Sequence, residues 1–252
     1  MRSLTVLADG IPFAAGCRFR LSGRTSVGLF PSLFTLQAWN LPESDYHRLA
    51  AAKELSVLRG DSCLASGAVS DVFRRTAPEG TVTAAAFSLG LDLWEARVSL
   101  SVEAGASVSE TVRRLLEASG TGIPLLSFPG EDPAFSRAQA FCGRAADCVT
   151  EAMSAAGARG VLVPAGLKIV PRDPLPAALH LTRKDLADEP AFAMNGKRMI
   201  LSTTVTGFQP GEELTLSYGE LSAAGLVLER LTEADTASGP WLTQLLAEVR
   251  RT

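Results

Sequence analysis

The sequence predicts an α+β fold that is mainly β, with two β-rich domains and an α+β insert between them. Three observations predict this class. Short runs rich in Val, Leu, Phe and Thr, separated by Gly, Pro, Ser and Asp, fill the chain up to about residue 98. Apolar residues at helical spacing follow, and alternating runs return after residue 171. We therefore expect domains over residues 1–98, 99–171 and 172–252.

In the first domain, the spacing of apolar residues predicts seven strands and one short helix. The helix corresponds to "ESDYHRLAAA", and "RGD" at residues 59–61 reads as a hairpin turn in which Gly60 supplies a positive φ. The predicted strands cover residues 5–7, 18–21, 33–39, 54–59, 62–73, 81–89 and 92–98.

The middle domain begins with a clear helix signature, "SVSETVRRLLEASG". Ser107 is the expected N-cap, Glu110 its capping-box partner and Gly120 the C-terminal stop. A second helix is predicted over residues 144–156, with a strand after each helix in "GIPLLSF" and "GVLVPAGLKIV". Helices that alternate with short strands indicate a small α+β unit.

The last domain returns to strands. An extended, proline-containing stretch, "RDPLPAALHL", leads into an Asn-Gly turn in "MNGKRMILSTTVTG" and a turn with a strand in "FQPGEELTLSYG". A strand, a polar loop and a closing strand are predicted in "AAGLVLERLTEADTASGPWLTQLLAEV".

Composition limits the classes of function. With 46% hydrophobic and 20% charged residues, the 252-residue chain can form sizeable cores. Its net charge of -3 and its lack of a basic run argue against a general nucleic-acid binder. No segment reaches the about 18 apolar residues of a membrane span. The four cysteines form no C-x-x-C pair, so we expect buried free thiols and no zinc site.

Local signatures of catalysis are absent from the sequence. It lacks the G-x-S-x-G, Walker A, G-x-G-x-x-G and H-E-x-x-H motifs. Acidic clusters at residues 43–45, 130–132, 185–189 and 233–235 fall in predicted loops and read as solvated turns. A hydrolase that uses two such carboxylates stays an alternative, since their separation depends on the fold.

Aromatic and histidine side chains leave a second alternative. Trp39, Trp94 and Trp241 lie in or beside predicted strands, where a core or subunit-interface position is favoured over a sugar-binding platform. His180 alternates with leucines on a predicted strand, which favours a structural or surface role. A carbohydrate-binding β module is therefore the other alternative.

Several segments in order resemble the tail hub proteins of bacteriophages and of phage-derived contractile machines. In the first β domain these are "PSLFTLQAWN" and "ELSVLRGDSCLASGAVSDVF". The α+β insert carries "SLSVEAGASVSETVRRLLEASG" and "FCGRAADCVTEAMSAAGARGVLVPAGLKIV", and the last domain carries "QPGEELTL" and "EADTASGPWLTQL". The chain departs from the family in "AAGLVLERLTEAD", which lacks the Gly-x-Tyr and His of relatives.

The resemblance implies two tail-tube-like β-barrel domains and a structural role without catalysis, cofactor or metal. Three hub chains would form a homotrimeric ring of six tube-like units, which adapts the six-fold tail tube to a three-fold spike. Its implied partners are a tail-tube or distal tail protein, the central spike protein and other baseplate proteins. The implied location is the virion tail tip or baseplate, after assembly in the host bacterial cytoplasm.

The resemblance also explains why "GLFPSLFTLQAWN" carries apolar residues on both faces of one strand. Phe34 and Leu36 would face the barrel core, while Leu33 and Trp39 would face a neighbouring subunit. The candidate residues of the subunit or partner interface are Leu33, Trp39, Asn40, Leu226, Leu228 and Trp241.

Overall fold

The structure, a computed structural model, describes residues 3–13, 16–128, 131–170 and 179–251. Strands make up 54% of the chain and helices 17%, which confirms the mainly β class. The chain divides into two compact units. Unit 1 comprises Met1–Thr25, Ser32–Leu89 and Ala177–Thr252, and unit 2 comprises Ser26–Pro31 and Gly90–Pro176.

Eighteen strands, four α-helices and one short 3-10 helix are named by their order along the described residues. The strands are β1 (Thr5–Ala8), β2 (Ile11–Pro12), β3 (Arg18–Ser26), β4 (Ser32–Trp39), β5 (Glu54–Arg59), β6 (Ser62–Ala77), β7 (Gly80–Leu89), β8 (Arg97–Val102), β9 (Leu125–Ser127), β10 (Gln139–Arg144), β11 (Arg159–Val163), β12 (Gly166–Val170), β13 (Leu179–Thr182), β14 (Ala191–Ala193), β15 (Arg198–Thr203), β16 (Glu213–Tyr218), β17 (Leu221–Asp235) and β18 (Trp241–Arg251). The helices are α1 (Glu43–Ala51), α2 (Leu91–Glu95), α3 (Val108–Ser119), α4 (Ala145–Ala155) and the 3-10 helix Arg183–Asp185.

One 13-stranded sheet forms the framework of unit 1. Its main path runs β14-β15-β18-β17-β3-β4-β7-β6-β5-β1-β2, and β16 pairs with both β17 and β13. The β13–β16 pair is parallel, whereas β16 and β17 pair antiparallel. The path ends at β14 and at β2, so the pairing of the described strands does not close a barrel, and the expectation of closed β-barrel domains is wrong.

Two hydrophobic cores divide the sheet of unit 1 into two lobes. The N-terminal lobe, β1–β7 with α1, buries Leu21, Leu36, Leu55 and Phe87 among other apolar side chains. The C-terminal lobe, β13–β18, has its own core, whose fully buried members include Met199, Leu201, Phe208, Leu214 and Val227. Burial of each such side chain contributes about 1.5–3 kcal/mol, so each lobe has a substantial apolar interior.

Unit 2 is built from two small sheets and helices α2, α3 and α4. β8 pairs antiparallel with β10, and β9, β12 and β11 form a three-stranded sheet. Ser107 caps α3 by accepting a hydrogen bond from the Glu110 backbone N–H at 3.2 Å, and Gly120 ends the helix at φ 69°. These caps confirm the predicted ends of the helix. The Glu110 side chain pairs with Arg113.

Most predicted elements are confirmed, and the exceptions have local causes. The strand predicted at residues 92–98 is wrong, because Gly90 turns the chain at φ 80° and α2 follows before β8 begins at Arg97. Leu93 is fully buried in that helix. Strand β10 was missing from the prediction. Gly60 adopts the predicted positive φ, 54°, in the β5–β6 turn.

Two predictions about the chain's organisation stay predictions. The three-domain division, with boundaries after residues 98 and 171, is one of them. The other is the extended stretch at "RDPLPAALHL", most of which falls on residues 171–178, outside the described residues.

Candidate assembly surfaces

Strand β4 buries one apolar face and carries an apolar residue near each end of the other face. Phe34 and Leu36 are buried in the core of the N-terminal lobe, while Leu33 on the other face is 63% exposed. In the sheet, Leu33 lies opposite Ser88 of β7 and Arg24 of β3. An exposed leucine in the middle of a sheet is surface that a binding partner could cover.

Trp39, at the end of β4, is held by polar neighbours. The Arg18 guanidinium lies 4.2 Å from the Trp39 ring centroid, and the indole Nε1 donates a hydrogen bond to Glu79 at 3.0 Å. The ring is half-buried. A cation–π contact and a satisfied indole fix the ring in one orientation.

Asn40 forms the turn that leaves β4. It adopts φ 53°, and its side-chain Oδ1 accepts a hydrogen bond from the Thr81 backbone N–H at 3.2 Å. Its own backbone N–H donates to the Thr81 carbonyl at 2.8 Å. Asparagine tolerates positive φ better than most residues, so these contacts explain its presence within the chain.

The three candidates from the C-terminal lobe differ from one another. Leu226 is only 2% exposed, so burial within the chain removes it from the candidate surface. Leu228 is half-buried at a bulge of β17. Trp241 is half-buried too, with the Arg59 guanidinium 5.2 Å from its ring centroid. On the sheet, β3 separates the β4 candidates from those of β17.

Other exposed apolar side chains are not among the interface candidates that the sequence predicts. Phe73 of β6 is 49% exposed and shares the outer sheet face with Leu33, because their β7 partners, Ala84 and Ser88, are four residues apart. Exposed side chains also occur in or beside β2 and β14–β15: Ile11, Phe192, Met194 and Ile200. The run "AFAM" before the Asn-Gly turn is the sequence feature that marks two of them, Phe192 and Met194.

The two lobes meet at strands β3 and β17. The Asp235 carboxylate accepts hydrogen bonds from Arg18 Nη2 at 2.8 Å and Nε at 3.3 Å. The Arg18 bond is the largest influence that holds the Asp235 pKa below its usual range. Beside this pair, the backbone N–H of Thr236 donates to the Phe19 carbonyl at 2.9 Å.

Arg230 is a second link between the lobes. Its guanidinium is buried and donates to the carbonyls of Phe208 in one lobe and Leu64 in the other, at 2.9 and 2.7 Å. Burial lowers its pKa to about 10. Because a buried cation is costly unless its donors find acceptors, this arginine ties two backbone segments at fixed positions.

Three of the acidic clusters each contain one carboxylate that hydrogen-bonds within the chain, although Asp132 itself is exposed. Asp132 accepts from the backbone N–H of Ser109 at 2.9 Å, near the start of α3, and Asp185 accepts from the Thr182 backbone N–H at 2.8 Å. For Asp132, burial is the largest single influence and raises the pKa, but the hydrogen bonds together lower it below its usual range. Hydrogen bonds from Thr182 are the largest influences on Asp185 and lower its pKa too. Asp235 contradicts the prediction of a solvated turn most clearly, because it is 1% exposed and forms an ion pair with Arg18.

The remaining candidate side chains also have local explanations. His180 Nδ1 lies 2.7 Å from Thr215 Oγ1 on the neighbouring strand, as expected for a structural or surface histidine. Trp94 lies in α2 rather than in a strand, with the Phe30 ring centroid at 5.3 Å and the Arg144 guanidinium at 4.2 Å. All four cysteines are free, but only Cys148 is buried; Cys17 and Cys63 are half-buried and Cys142 is exposed, so the expectation of four buried thiols is wrong.

The described part of the chain has neither a metal-binding cluster nor a membrane-spanning helix. Among residues 3–13, 16–128, 131–170 and 179–251, no group of three or more His, Cys, Asp or Glu side chains could hold a metal ion. Within the same residues, none of the helices combines the length and apolarity needed to cross a membrane.

Comparison of this fold with solved structures gives matches over nearly the whole chain. A tail protein from Neisseria meningitidis matches with a TM-score of 0.75 at 11% identity, covering 98% of this chain and 96% of that one. A prophage tail protein from Shewanella oneidensis matches with a TM-score of 0.67 at 11% identity, covering 98% and 97%.

A bacterial secretion component has a similar structure. This Escherichia coli component of the type VI secretion system, which exhibits structural similarity to T4 bacteriophage tail proteins, matches with a TM-score of 0.68 at 12% identity. The match covers 97% of this chain and 76% of that one. No family model and no curated protein sequence matches the chain. The comparisons confirm the resemblance seen in the sequence: the chain has the fold of bacteriophage tail proteins.

Proposed function

We propose that this chain is a structural subunit of the tail hub of a phage or phage-like particle. The observation that carries the proposal is the match to tail proteins along nearly the full length of both chains, with TM-scores of 0.75 and 0.67. A match of this extent includes both lobes and the insert, so the whole chain would serve the same architectural role.

Three copies would form a ring around the tail axis, with six β lobes in pseudo-equivalent positions. Each lobe would occupy the place of one tail-tube unit, as the family resemblance implies. The ring would then join a six-fold tube or distal tail protein on one side to a three-fold central spike on the other. Two separate cores within one continuous sheet support this proposal, because they give each chain two β bodies held in fixed relation.

The outer face of the N-terminal lobe supplies one candidate contact surface of the ring. It carries Leu33 and Phe73 as exposed apolar residues, with Trp39 at its edge. A stable subunit interface buries roughly 1,000 Å² or more, with aromatic anchors surrounded by polar side chains. Leu228 and Trp241 would extend the contact on the C-terminal lobe.

We further propose that the chain itself is not catalytic. Three carboxylates of the acidic clusters are engaged in hydrogen bonds within the chain: Asp132 with Ser109, Asp185 with Thr182 and Asp235 with Arg18. A carboxylate that fixes the chain in this way is poorly placed to protonate a substrate or attack it.

Electron-microscopic reconstruction of intact particles tests the proposal. The particles would be purified from a bacterium that carries this reading frame, with an affinity tag on the chain to locate it. We expect three copies on the tail axis, with six β lobes around a channel. Six copies in a ring, or a position on outer fibres away from the axis, would contradict the hub and favour a carbohydrate-binding module.

A further inference from the structure

The three-stranded sheet of unit 2 has an open edge at β9. This strand pairs in parallel with β12, and no strand of the described residues pairs with its other edge. The Pro124 carbonyl accepts a hydrogen bond from the Leu167 backbone N–H of β12 at 2.8 Å. Because successive residues of a strand point their backbone groups to opposite sides, the N–H and C=O of Leu125 face the open edge. Such an edge can receive the backbone of another extended segment.

The open edge lies in an uncharged, apolar part of the chain. Residues 120–130 contain no charged side chain, whereas exposed strand edges are commonly protected from pairing by Lys or other charges. Leu125 and Leu126 project from opposite faces of β9, since side chains alternate along a strand. Leu125 is half-buried and Leu126 is 44% exposed. The edge is therefore flanked by apolar surface on both faces.

A groove lies beside this edge, between helix α3 and the chain that leads into β9. Helix α3 packs against β9 and contributes one stripe to the groove, made of Arg113, Leu116, Glu117 and the helix-ending Gly120. Residues 122–125 line the other side. The groove has a volume of about 550 Å³. Ligand sites in proteins have volumes of roughly 300–1,000 Å³, so this groove can hold side chains of a partner.

The floor of the groove is apolar and continuous with the strand edge. Leu116 is buried, and Ile123 and Leu125 are half-buried. Leu125 contributes to both features, because its backbone faces the open edge and its side chain lines the groove. A segment that paired with the edge would direct every second side chain to the groove side of the sheet. Peptide recognition by strand addition combines these two parts, backbone hydrogen bonds and a pocket for alternate side chains.

The groove also carries one unpaired charge. Its charged lining residues are Arg113 and Glu117. Arg113 forms an ion pair with Glu110 one turn earlier in α3, whereas no basic side chain of the described residues pairs with the exposed Glu117. One cation and two carboxylates leave these three side chains with a net charge of minus one. A complementary partner would therefore bring a Lys or Arg to Glu117.

We infer that this site binds an extended segment of another protein. The segment adds to the open edge of β9, places an apolar side chain in the groove and sets a Lys or Arg beside Glu117. A second copy of this chain would not fill the groove through its own β9, because that strand has three residues and its Leu125 already lines a groove. The site lies within unit 2 and is independent of the proposed tail hub.

Selection of peptides on the full chain tests the inference. The probe is a displayed library of random eight-residue peptides, and the chain is immobilised through a terminal tag. We expect the enriched peptides to carry apolar residues at every second position, with a Lys or Arg two or four positions from one of them. Enrichment of apolar residues at helical spacing, or no enrichment above an unrelated immobilised protein, would overturn the inference.

Backbone methylation of an enriched peptide distinguishes strand addition from other modes of binding. Two versions carry N-methyl groups on alternate amides, and the second is shifted by one residue. One version should bind about tenfold more weakly or worse, because the donor to the Leu125 carbonyl is lost, and the other should bind nearly as the parent does. Hydrogen exchange followed by NMR should also slow at the Leu125 amide when the parent peptide is bound. Equal losses in both versions, or unchanged exchange at Leu125, would contradict pairing along this edge.

A charge exchange between chain and peptide tests the groove. Glu117→Lys should weaken binding of the parent peptide about fivefold, and a peptide with Glu in place of its basic residue should prefer this variant to the unmodified chain. Glu103→Lys is the matched control, since Glu103 is exposed in the same unit and does not line the groove. Thermal melting verifies that both variants are folded. Equal affinities of the two peptides for Glu117→Lys and the unmodified chain would show that the segment binds elsewhere.

Discussion

Arg18 and Asp235, separated by 217 positions in the sequence, form a two-pronged ion pair with a shortest distance of 2.8 Å. The pair connects β3 to the end of β17 and so joins the two lobes. Asp235 is buried, whereas Arg18 is about one-third exposed and also lies over Trp39. One arginine therefore contributes both to the lobe junction and to the orientation of a predicted interface residue.

Asp235→Asn should lower the free energy of unfolding by about 2 kcal/mol, because the charged hydrogen bonds to Arg18 are lost at a buried site. Glu229→Gln is the matched control, since Glu229 pairs with the more exposed Arg24 on the same two strands. We expect less than about 1 kcal/mol from that change. Urea unfolding of both variants at neutral pH makes the comparison, and equal losses would contradict a special role for Asp235.

The same ion pair predicts a pH dependence. The folded-state pKa of Asp235 is lowered, chiefly by the Arg18 hydrogen bond. Its stabilisation is therefore present at neutral pH and is lost as the pH falls through the folded-state pKa, below the ordinary value of about 4. The stability difference between the unmodified chain and Asp235→Asn should shrink as the pH falls from 5 towards about 3. A constant difference would mean that the carboxylate charge is not the stabilising group.

Leu116→Asp should destabilise unit 2 by about 3 kcal/mol or more. Leu116 is buried on α3 together with Val112 and Leu115, and an aspartate there would place an unpaired charge in the core. Ala118→Asp, at an exposed position of the same helix, should cost only about 0.5 kcal/mol. Thermal melting followed by circular dichroism distinguishes the two, and an unchanged melting curve for Leu116→Asp would show that this helix face is misassigned.

Arg230→Ala should weaken the lobe junction by about 3 kcal/mol, because two carbonyls lose a charged donor and a cavity replaces the side chain. Arg24→Ala, on the exposed side of the junction, is the control. Hydrogen exchange followed by mass spectrometry should show faster exchange around Leu64 and Phe208 in Arg230→Ala only. Unchanged exchange at both segments would indicate that other contacts hold the lobes together.

Replacement of Asp132, Asp185 or Asp235 by Asn should leave any tail-associated lysis of host cells unchanged in particles that assemble normally. Each carboxylate has a partner in the chain, so its loss should affect stability before activity. Zymography of purified particles measures the lysis. Loss of lysis in normally assembled, correctly folded particles would make a hydrolase the better assignment.

The sequence was most informative where local chemistry determines structure. Ser107 and Gly120 marked both ends of α3, and alternation in β4 separated Phe34 and Leu36 from the outward-facing Leu33. The sequence predicted a strand where α2 lies, because a five-residue segment is too short for the helical spacing of apolar residues to be distinguished from the alternation of a strand.

Contacts between distant segments could not be predicted in the same way. Nothing near Asp235 in the sequence indicates that Arg18 will cover it, so the cluster "EAD" had the appearance of an exposed loop. The edge position of β14 also depends on strand order, which is a property of the whole sheet. The exposed Phe192 and Met194 were for this reason outside the predicted interface set.

The adjacency of β3 and β17 also constrains how the chain folds during synthesis. The edge of β3 remains without its neighbour until the ribosome has added β17, roughly two hundred residues later. Sheets that depend on such distant pairings form slowly, and their unpaired edges are prone to aggregation in the interval. Chaperone capture of the nascent N-terminal lobe, or its rapid proteolysis when β17 is deleted, is therefore the expected cellular consequence of this strand order.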